Sequence, residues 1–286
     1  MKTVKSFFDH QTFTMTYLVY DTNSKDAIII DPVLDFDQAA STITTQSIEE
    51  VLDFIEKESL IVHYILETHI HADHLSGARE LKKKLPQTLI GIGENVKKVQ
   101  SKFKEVYNFK DFNANGVQFD MLLSEDTLLE AGSIKIKTIF TPGHTPACSS
   151  YLIEDMVFTG DALFMPDYGT GRCDFPMGSA KQLYHSVYEK LYKLPNATRV
   201  FTCHDYLPNG RELKYETTIG ESKKNNIQLS EATSERDFVE FREKRDKTLK
   251  SPQLLYPSIQ VNIRAGSLPA AEDNDVSYLK IPVRRS

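Results

Sequence analysis

The order of the elements predicts an α/β fold, because short apolar strands and amphipathic helices alternate along most of the chain. The 286 residues suit either one large α/β domain or two small ones, and the chain can bury a sizeable core. Hydrophobic residues make up 40% of the sequence and charged residues 26%, as is ordinary for a globular protein. We therefore expect a compact protein with a mixed core.

The first half of the chain opens with a predicted hairpin. Its strands, at 16–21 and 27–31, are separated by Thr-Asn-Ser-Lys, and Pro32 ends the second strand. Ser47 and Glu50 have the spacing of a capping box, and the apolar residues after them recur with helical periodicity. The next predicted elements are a strand over 61–68, a helix over 76–85 that Pro86 ends, and a strand over 88–92.

The second half continues the alternation. Predicted strands span 134–140, 149–153, 156–159 and 199–203. A helix over 179–194 places Leu183, Val187 and Leu191 on one face. Beyond about residue 225 the chain is more charged, with one helix predicted near 234–250, and we interpret this part as an appended segment.

Charge and composition exclude several classes of protein. A net charge of -6 and a pI near 5.8 leave no basic surplus for a phosphate backbone, so we expect no nucleic-acid partner. We also expect no membrane attachment, since no stretch reaches the roughly 20 apolar residues of a spanning helix and the chain does not open with a signal peptide. The cysteines, Cys148, Cys173 and Cys203, are scattered without a CxxC pair, which favours a reducing cytoplasm.

A dense group of potential metal ligands directly follows the strand over 61–68. His69, His71, Asp73 and His74 place three imidazoles and a carboxylate within six residues, where a turn can aim all four at one point. A protein has little reason to crowd such side chains unless a cation balances the carboxylate and accepts the imidazole lone pairs. The sequence therefore predicts a metal site at this turn.

Three further candidate ligands also come just after predicted strands. They are His144, Asp161 and His204. Ligands at the strand ends of an α/β sheet can converge on one crevice. Gly143 and Gly160 precede two of these candidates and allow the backbone to turn tightly beside a metal. The remaining isolated histidines are interpreted as hydrogen-bonded structural residues, namely His10, His63 and His185.

Together these segments resemble the successive metal motifs of the metallo-β-lactamase superfamily. The matching stretches are His69-x-His71-x-Asp73-His74, Thr141-Pro142-Gly143-His144-Thr145, Phe158-Thr159-Gly160-Asp161 and Cys203-His204-Asp205. The resemblance covers roughly 16–226 and implies an αββα sandwich with the metal site at one edge of two facing β-sheets. We therefore assign 1–228 to a metallo-β-lactamase-fold catalytic domain and 229–286 to a C-terminal extension packed on the same domain.

Within the superfamily the sequence most resembles the persulfide dioxygenases, also called sulfur dioxygenases, a branch that includes the β-lactamase-like hydrolase proteins of bacterial sulfide-detoxification systems. Residues 160–163 and 171–175, GDAL and GRCDF, resemble the GDALL and GRTDF pair of those enzymes. Residues 204–206 match their HDY, and 217–226 resembles the stretch that follows it. In that branch the residues matching His69, His144 and Asp161 bind one Fe(II), while the other four positions hold no second metal. Such a mononuclear site leaves positions open for both O₂ and a substrate sulfur.

The sequence departs from the dioxygenase pattern in two places beside the expected thiol pocket. Segment 165–170 makes the loop about two residues longer, and Cys173 stands where threonine is usual. These changes bear on which persulfide is preferred more than on the metal. Cys173 and Cys203 either hold or relay sulfane sulfur, or are small buried thiols without a chemical role.

The resemblance implies an Fe(II)-dependent dioxygenase of sulfide detoxification. Its substrates are O₂ and glutathione persulfide or a similar low-molecular-weight persulfide, and its products are sulfite and the free thiol. Arg172 is expected to bind a glutathione carboxylate, with an ion pair to Asp174 as the alternative. Tyr206 is expected to contact the substrate, and Asp205 to orient a ligand histidine through its second ring nitrogen.

Two other functions stay open. All seven ligands are present, so a zinc-dependent thioester hydrolase of glyoxalase II type with two metal ions is the main alternative. A non-enzymatic persulfide-binding or metal-sensing protein is the other. A homodimer is also left open, and the segment from about residue 234 onward, including 256–261, is a candidate dimer or lid element.

Overall fold

A computed structural model describes residues 1–283 of the chain. This part contains fifteen strands: β1 Lys2–Asp9, β2 Thr14–Asp21, β3 Asp26–Ile30, β4 Val33–Asp37, β5 Thr42–Thr44, β6 Ile61–Glu67, β7 Leu75–Ser76, β8 Leu89–Gly93, β9 Met121–Leu123, β10 Leu128–Ala131, β11 Ile134–Phe140, β12 Ser149–Ile153, β13 Met156–Phe158, β14 Arg199–Phe201 and β15 Glu216–Thr218. Its seven α-helices are α1 Gln46–Glu58, α2 Ala78–Lys84, α3 Val96–Val106, α4 Ala180–His185, α5 Ile219–Asn225, α6 Glu235–Asp246 and α7 Leu255–Asn262.

The strands form two six-stranded sheets that face each other, and one small sheet. The first sheet has the order β1-β2-β3-β6-β8-β9 and the second the order β10-β11-β12-β13-β14-β15. In the first sheet β3, β6, β8 and β9 run parallel, which requires crossover helices and explains the alternation in the sequence. The small sheet joins β5, β4 and β7.

Apolar side chains form three layers, one between the two sheets and one on the outer face of each sheet. The helices lie outside the sheets because they cover the two outer layers. The inter-sheet layer brings Tyr17 and Ile28 of the first sheet against Tyr151 and Phe158 of the second. The outer face of the first sheet packs on α1, α2, α3 and α7. The outer face of the second sheet packs on α4, α5 and α6. The predicted αββα sandwich is confirmed.

Several predicted elements differ in detail from those in the structure. The hairpin of β2 and β3 is present and antiparallel, but the capping box is wrong, because the backbone and side chain of Ser47 both donate to Asp35 and α1 begins after Thr45. Helix 179–194 changes its winding, since α4 continues as a π-helix over Ser186–Lys190 and a 3₁₀ turn over Leu191–Lys193.

The chain beyond residue 228 packs closely on the sandwich. Helix α6 lies against α4 through Phe238, which is fully buried. Helix α7 contacts β7, and its residues Pro257 to Asn262 are all buried. Residues 257–261 therefore belong to the core, which argues against them as a lid or dimer contact, while the rest of the segment from about residue 234 onward stays a prediction in this respect. Within residues 1–283 no helix is both long and apolar enough to cross a membrane.

Candidate metal centre

Each predicted ligand stands just beyond the C-terminal end of a strand. The HxHxDH turn follows β6, His144 follows β11, Asp161 follows β13 and His204 follows β14. β6 belongs to the first sheet and the other three strands to the second. The ligands therefore meet at one edge of the sandwich, where the two sheets end together.

The seven side chains come together in the structure. His69, His144 and Asp161 offer ligand atoms that all lie within 4.8 Å of one another, and so do His71, Asp73 and His74. The second group extends to His204, whose Nε2 lies 3.2 Å from Asp73 and 3.4 Å from Asp161. Asp161 thus stands between the two groups. This geometry permits one metal or two.

Unpaired buried atoms show that the residues fit a metal. Among the described residues, six ligand atoms of this group are shielded from solvent without a hydrogen-bond partner: His69 Nε2, His71 Nδ1, His74 Nε2, His204 Nε2, Asp73 Oδ2 and Asp161 Oδ1. Buried polar atoms normally have partners, because an unmade hydrogen bond costs free energy. One or two cations bound here would give these atoms partners. Imidazole and carboxylate groups suit zinc or iron.

The other ring nitrogen of each histidine is held by the protein. His144 donates from Nδ1 to the carbonyl of Arg172 at 2.6 Å, and His204 donates from Nδ1 to the carbonyl of Phe13 at 3.2 Å. His69 Nδ1 lies 3.0 Å from the hydroxyl of Thr68. These contacts orient each ring so that Nε2 points to the metal position.

His71 is the exception, because it presents Nδ1 to the metal position. Its Nε2 lies 3.0 Å from Asp31 and 3.3 Å from Glu67, and both carboxylates are buried. Burial opposes protonation of His71, but the two carboxylates raise the pKa of His71 well above its ordinary value. By contrast, burial and the neighbouring imidazoles lower the pKa of His69. Neither Asp31 nor Glu67 was predicted as a site residue, because no local motif marks them.

Two glycines give the loops their required shape. Gly160 has φ +51, and a Cβ there would lie 2.7 Å from the hydroxyl oxygen of Thr68. Gly143 has φ +148, and a Cβ there would lie 2.4 Å from the backbone of Leu183 in α4. Both positions therefore favour glycine.

Asn262, the last residue of α7, makes hydrogen bonds to the backbone of the HxHxDH turn and of the strand that follows it. Its side-chain amide donates to the carbonyls of His71 and His74, both at 2.8 Å, and its oxygen accepts from the backbone of Ser76 at 2.8 Å. The side chain is buried. Sequence reasoning missed it, since an isolated asparagine carries no pattern.

The structure does not bring Asp205 to a histidine. Its carboxylate accepts from both terminal nitrogens of Arg211, at 2.6 and 2.8 Å, and from the backbone of Lys214. The predicted orienting role of Asp205 is therefore wrong. The loop after β14 returns Arg211 to this carboxylate, whereas backbone and hydroxyl groups hold four of the histidines and the Asp31 and Glu67 carboxylates hold His71.

A cavity of about 660 Å³ opens beside the metal position. Asp73, His144 and Asp161 line it, together with Arg172 and Tyr206. The Tyr206 ring stacks on that of His204 at 5.3 Å. The two residues predicted to contact substrate therefore lie in the cavity wall.

Arg172 is already engaged, as in the alternative given above. Its guanidinium donates to both oxygens of Asp174, at 2.5 and 2.6 Å, and to the carbonyl of Lys250. Most of its donors are therefore committed within the chain. Its role as carboxylate ligand of the substrate stays a prediction.

The buried cysteines are neutral thiols. Burial raises the pKa of Cys173 and Cys203 well above the ordinary value. Cys203 lies 3.6 Å from the Asp31 carboxylate, to which its thiol donates. A thiol is a far weaker nucleophile than a thiolate, so this environment favours the interpretation without a sulfur-relay role.

Comparison with known proteins gives the same picture as the geometry. The metallo-beta-lactamase superfamily profile matches residues 11–204. A Dictyostelium discoideum protein named Glyoxylase B2 is 45% identical over 98% of this chain and 96% of its own length. The mouse (Mus musculus) persulfide dioxygenase ETHE1 is 31% identical over 92% of this chain and 88% of its own.

A solved structure agrees as well. The crystal structure of ETHE1 from Myxococcus xanthus superposes with a TM-score of 0.75 at 28% identity, covering 93% of this chain and 100% of that one. The profile match, the shared fold and the converging histidines and aspartates agree with one another. The chain therefore belongs to the metallo-β-lactamase superfamily and is a homologue of the persulfide dioxygenases in it.

Proposed function

We propose that the protein is an Fe(II)-dependent persulfide dioxygenase acting on glutathione persulfide or a similar low-molecular-weight persulfide in sulfide detoxification. The observation that carries the proposal is the group of His69, His144 and Asp161, whose ligand atoms converge beside a cavity large enough for a small thiol. Two imidazoles and one carboxylate are the ligand set typical of non-haem iron oxygenases. The likeness to persulfide dioxygenases adds support.

The reaction balances with water as a third reactant. One persulfide, one O₂ and one water yield one thiol, one sulfite and two protons. The terminal sulfur leaves as sulfite when the sulfur–sulfur bond breaks, and the other sulfur keeps the organic group as the thiol. O₂ accepts the four electrons that the two sulfur atoms together lose. Iron, when bound, supplies the site at which O₂ and the sulfur meet.

The chain's own residues prepare this site. The carbonyl of Arg172 fixes the ring of His144, and the hydroxyl of Thr68 fixes that of His69. The aromatic rings of Phe164 and Tyr206 lie against each other at 6.2 Å and line the cavity, so they limit water near the reacting sulfur.

One observation favours a second candidate, a thioester hydrolase of glyoxalase II type. Unpaired ligand atoms are also present on His71, Asp73, His74 and His204, which would hold a second metal ion. A dinuclear zinc site can supply a bound hydroxide and stabilise a leaving group. The relative named Glyoxylase B2 agrees with this alternative by name.

Metal analysis with two matched assays separates the candidates. The protein is purified anaerobically, its iron and zinc are measured, and O₂ uptake with glutathione persulfide is compared with hydrolysis of S-lactoylglutathione. We expect one iron per chain, O₂ uptake with sulfite formation, and little hydrolysis. Two tightly bound zinc ions with rapid thioester cleavage and no O₂ uptake would contradict the proposal.

A further inference from the structure

The charged residues in the cavity wall fall into two sets. Asp73, His144 and Asp161 belong to the metal centre. The others lie farther along the wall, namely Asp167, Arg172, Arg242 and Arg245. A substrate that carries charge must find its counter-charge in this second set.

Ion pairs within the chain neutralise three of these four side chains. Asp167 accepts from Arg211 at 2.5 and 3.0 Å. Arg172 is paired with Asp174, as described above. Arg242 is buried and donates to Asp246 at 2.9 Å and to Gln228 at 2.9 Å.

Arg245 differs from the other arginines of the cavity. Among the residues that the structure describes, its guanidinium has no carboxylate within ion-pair distance, and its one hydrogen bond runs to the hydroxyl of Thr248 at 3.2 Å. Its charge nevertheless reaches into the cavity. Burial raises the pKa of Tyr168, and the charge of Arg245 opposes that rise. Tyr168 lines the cavity and stacks on Tyr206.

Helix α6 presents Arg245 between two apolar side chains. Phe241 lies one helical turn before it on α6, Leu249 lies in the segment just after the helix, and both line the cavity. Phe241 is 41% exposed, and Ile227, on the same wall, is 68% exposed. Unpartnered apolar side chains around an unpaired cation indicate a site for a ligand with an anionic group on an organic body.

We propose that Arg245 forms an anion-binding subsite at the rim of the cavity, and that it holds a carboxylate or phosphate of the substrate's organic group while the sulfur lies at the metal centre. The inference deepens the proposed function and rests on it. In this proposal Arg245 binds the carboxylate or phosphate of the substrate, whereas the sequence predicted the carboxylate contact for Arg172. It also predicts that inorganic polysulfide, which lacks the organic anion, is a poor substrate.

Binding measurements test the subsite without turnover. Isothermal titration of the iron-loaded protein with glutathione under anaerobic conditions gives a Kd for wild type, Arg245→Met, Arg245→Lys and Arg236→Met. Methionine keeps an apolar stem and removes the charge. Arg236 lies on the same helix, is 87% exposed and is absent from the cavity wall, so it is the matched control. We expect Arg245→Met to raise the Kd about tenfold to a hundredfold. The Kd should rise less in Arg245→Lys and should not change in Arg236→Met.

Paired ligands identify the anion. Glutathione diethyl ester lacks both carboxylates, so it should bind the wild-type protein weakly. Its Kd should not rise further in Arg245→Met. Coenzyme A carries phosphates, so a Kd that depends on Arg245 for coenzyme A but not for glutathione would assign the subsite to phosphate. In O₂ uptake with the matching persulfide, Arg245→Met should raise KM and leave kcat nearly unchanged.

The two proposals fail in distinguishable ways. If the Kd values for glutathione and coenzyme A are both unchanged in Arg245→Met, Arg245 does not belong to the substrate site. The same follows if glutathione and its diethyl ester lose affinity equally in that variant. Arg172→Ala is titrated in the same way, and a loss of glutathione affinity in that variant but not in Arg245→Met would return the contact to Arg172. If Kd depends on Arg245 but no persulfide supports O₂ uptake, the subsite stands and the dioxygenase proposal fails.

Discussion

At the scale of single residues, the metal position depends on which nitrogen each imidazole offers. Four histidines turn Nε2 inward because backbone or hydroxyl oxygens hold Nδ1, whereas His71 turns Nδ1 inward because Asp31 and Glu67 hold its Nε2. A proton on Nε2 of His71 leaves Nδ1 free to bind a cation. The two buried carboxylates therefore fix a tautomer as well as an orientation.

Asp161 and His204 provide a test of how many metals bind. If iron uses His69, His144 and Asp161, Asp161→Ala should abolish metal retention, because it leaves two neutral imidazoles as ligands. His204→Ala should lower activity and keep most of the iron. The metal content of both variants, measured after desalting, checks this. Equal metal loss in the two would favour a dinuclear site.

The seven ligands could be predicted from the sequence because His69 to His74 form a local motif and the other three follow recognisable strands. Asp31, Glu67, Asn262 and Arg245 could not be. Each is a single residue of a common type, and only the folded chain brings it to the site.

At the scale of elements, α7 acts as a brace for the HxHxDH turn. The amide of Asn262 spans the turn from His71 to Ser76 with three hydrogen bonds of 2.8 Å. Strand β7, which is an edge strand of the small sheet, begins directly after this turn. The position of α7 is therefore coupled to the direction of the ligand side chains.

Substitution of Asn262 tests this brace. Asn262→Asp keeps the acceptor for Ser76 but loses both N–H donors, and Asn262→Ala loses all three hydrogen bonds. We expect the metal dissociation constant to rise about tenfold to a hundredfold in both variants, the range typical of residues that support ligands. Competition with a chelator measures it. Asn225→Ala, at an exposed position on α5, is the control. An unchanged metal affinity in Asn262→Ala would show that the turn holds its shape alone.

The predicted bounds of an element agree best with the structure where the local sequence pattern of that element is clear. The bounds of β11 and β12 match the prediction to the residue, and in β11 the alternation of apolar and polar residues gave a clear signal. The strand β1 was missed, since Lys2 and Lys5 interrupt its pattern and it lies at a sheet edge. Helix α3 was missed although the sequence signals it, since Asn95 is a favoured N-cap type and Val96, Val99 and Phe103 recur at helical spacing.

At the scale of the whole molecule, polar contacts join the two sheets at the side where β3 meets the turn between β10 and β11. Asp26 accepts from the backbone of Ser133 at 2.8 Å, from Ser24 at 2.6 Å, and lies 2.7 Å from His63. These partners lower the pKa of Asp26 to about 2, with the contact from Ser24 the largest cause. The charged carboxylate therefore stabilises the fold.

Asp26→Asn should lower the Tm by about 2–4 °C near pH 7. The pKa of Asp26 is depressed in the folded state, so its contribution is fully present above the unfolded-state pKa near 4 and is lost as the pH falls toward 2. The difference in Tm between wild type and variant should therefore shrink below about pH 4. Calorimetry at several pH values measures it, with Asp53→Asn as the control on exposed α1 surface. A difference that stays constant down to pH 3 would assign the effect to packing.

The wide spacing of the ligands along the chain also bears on how the protein is made. During synthesis the HxHxDH turn leaves the ribosome first, His144 and Asp161 follow, and Asn262 emerges after all of the ligands. A nascent chain can offer imidazoles to a passing ion long before α7 has set their direction. We therefore expect the ligand side chains to reach their final direction only after α7 has packed on the turn, so that the ions present at that stage, more than those met earlier, determine which metal is bound.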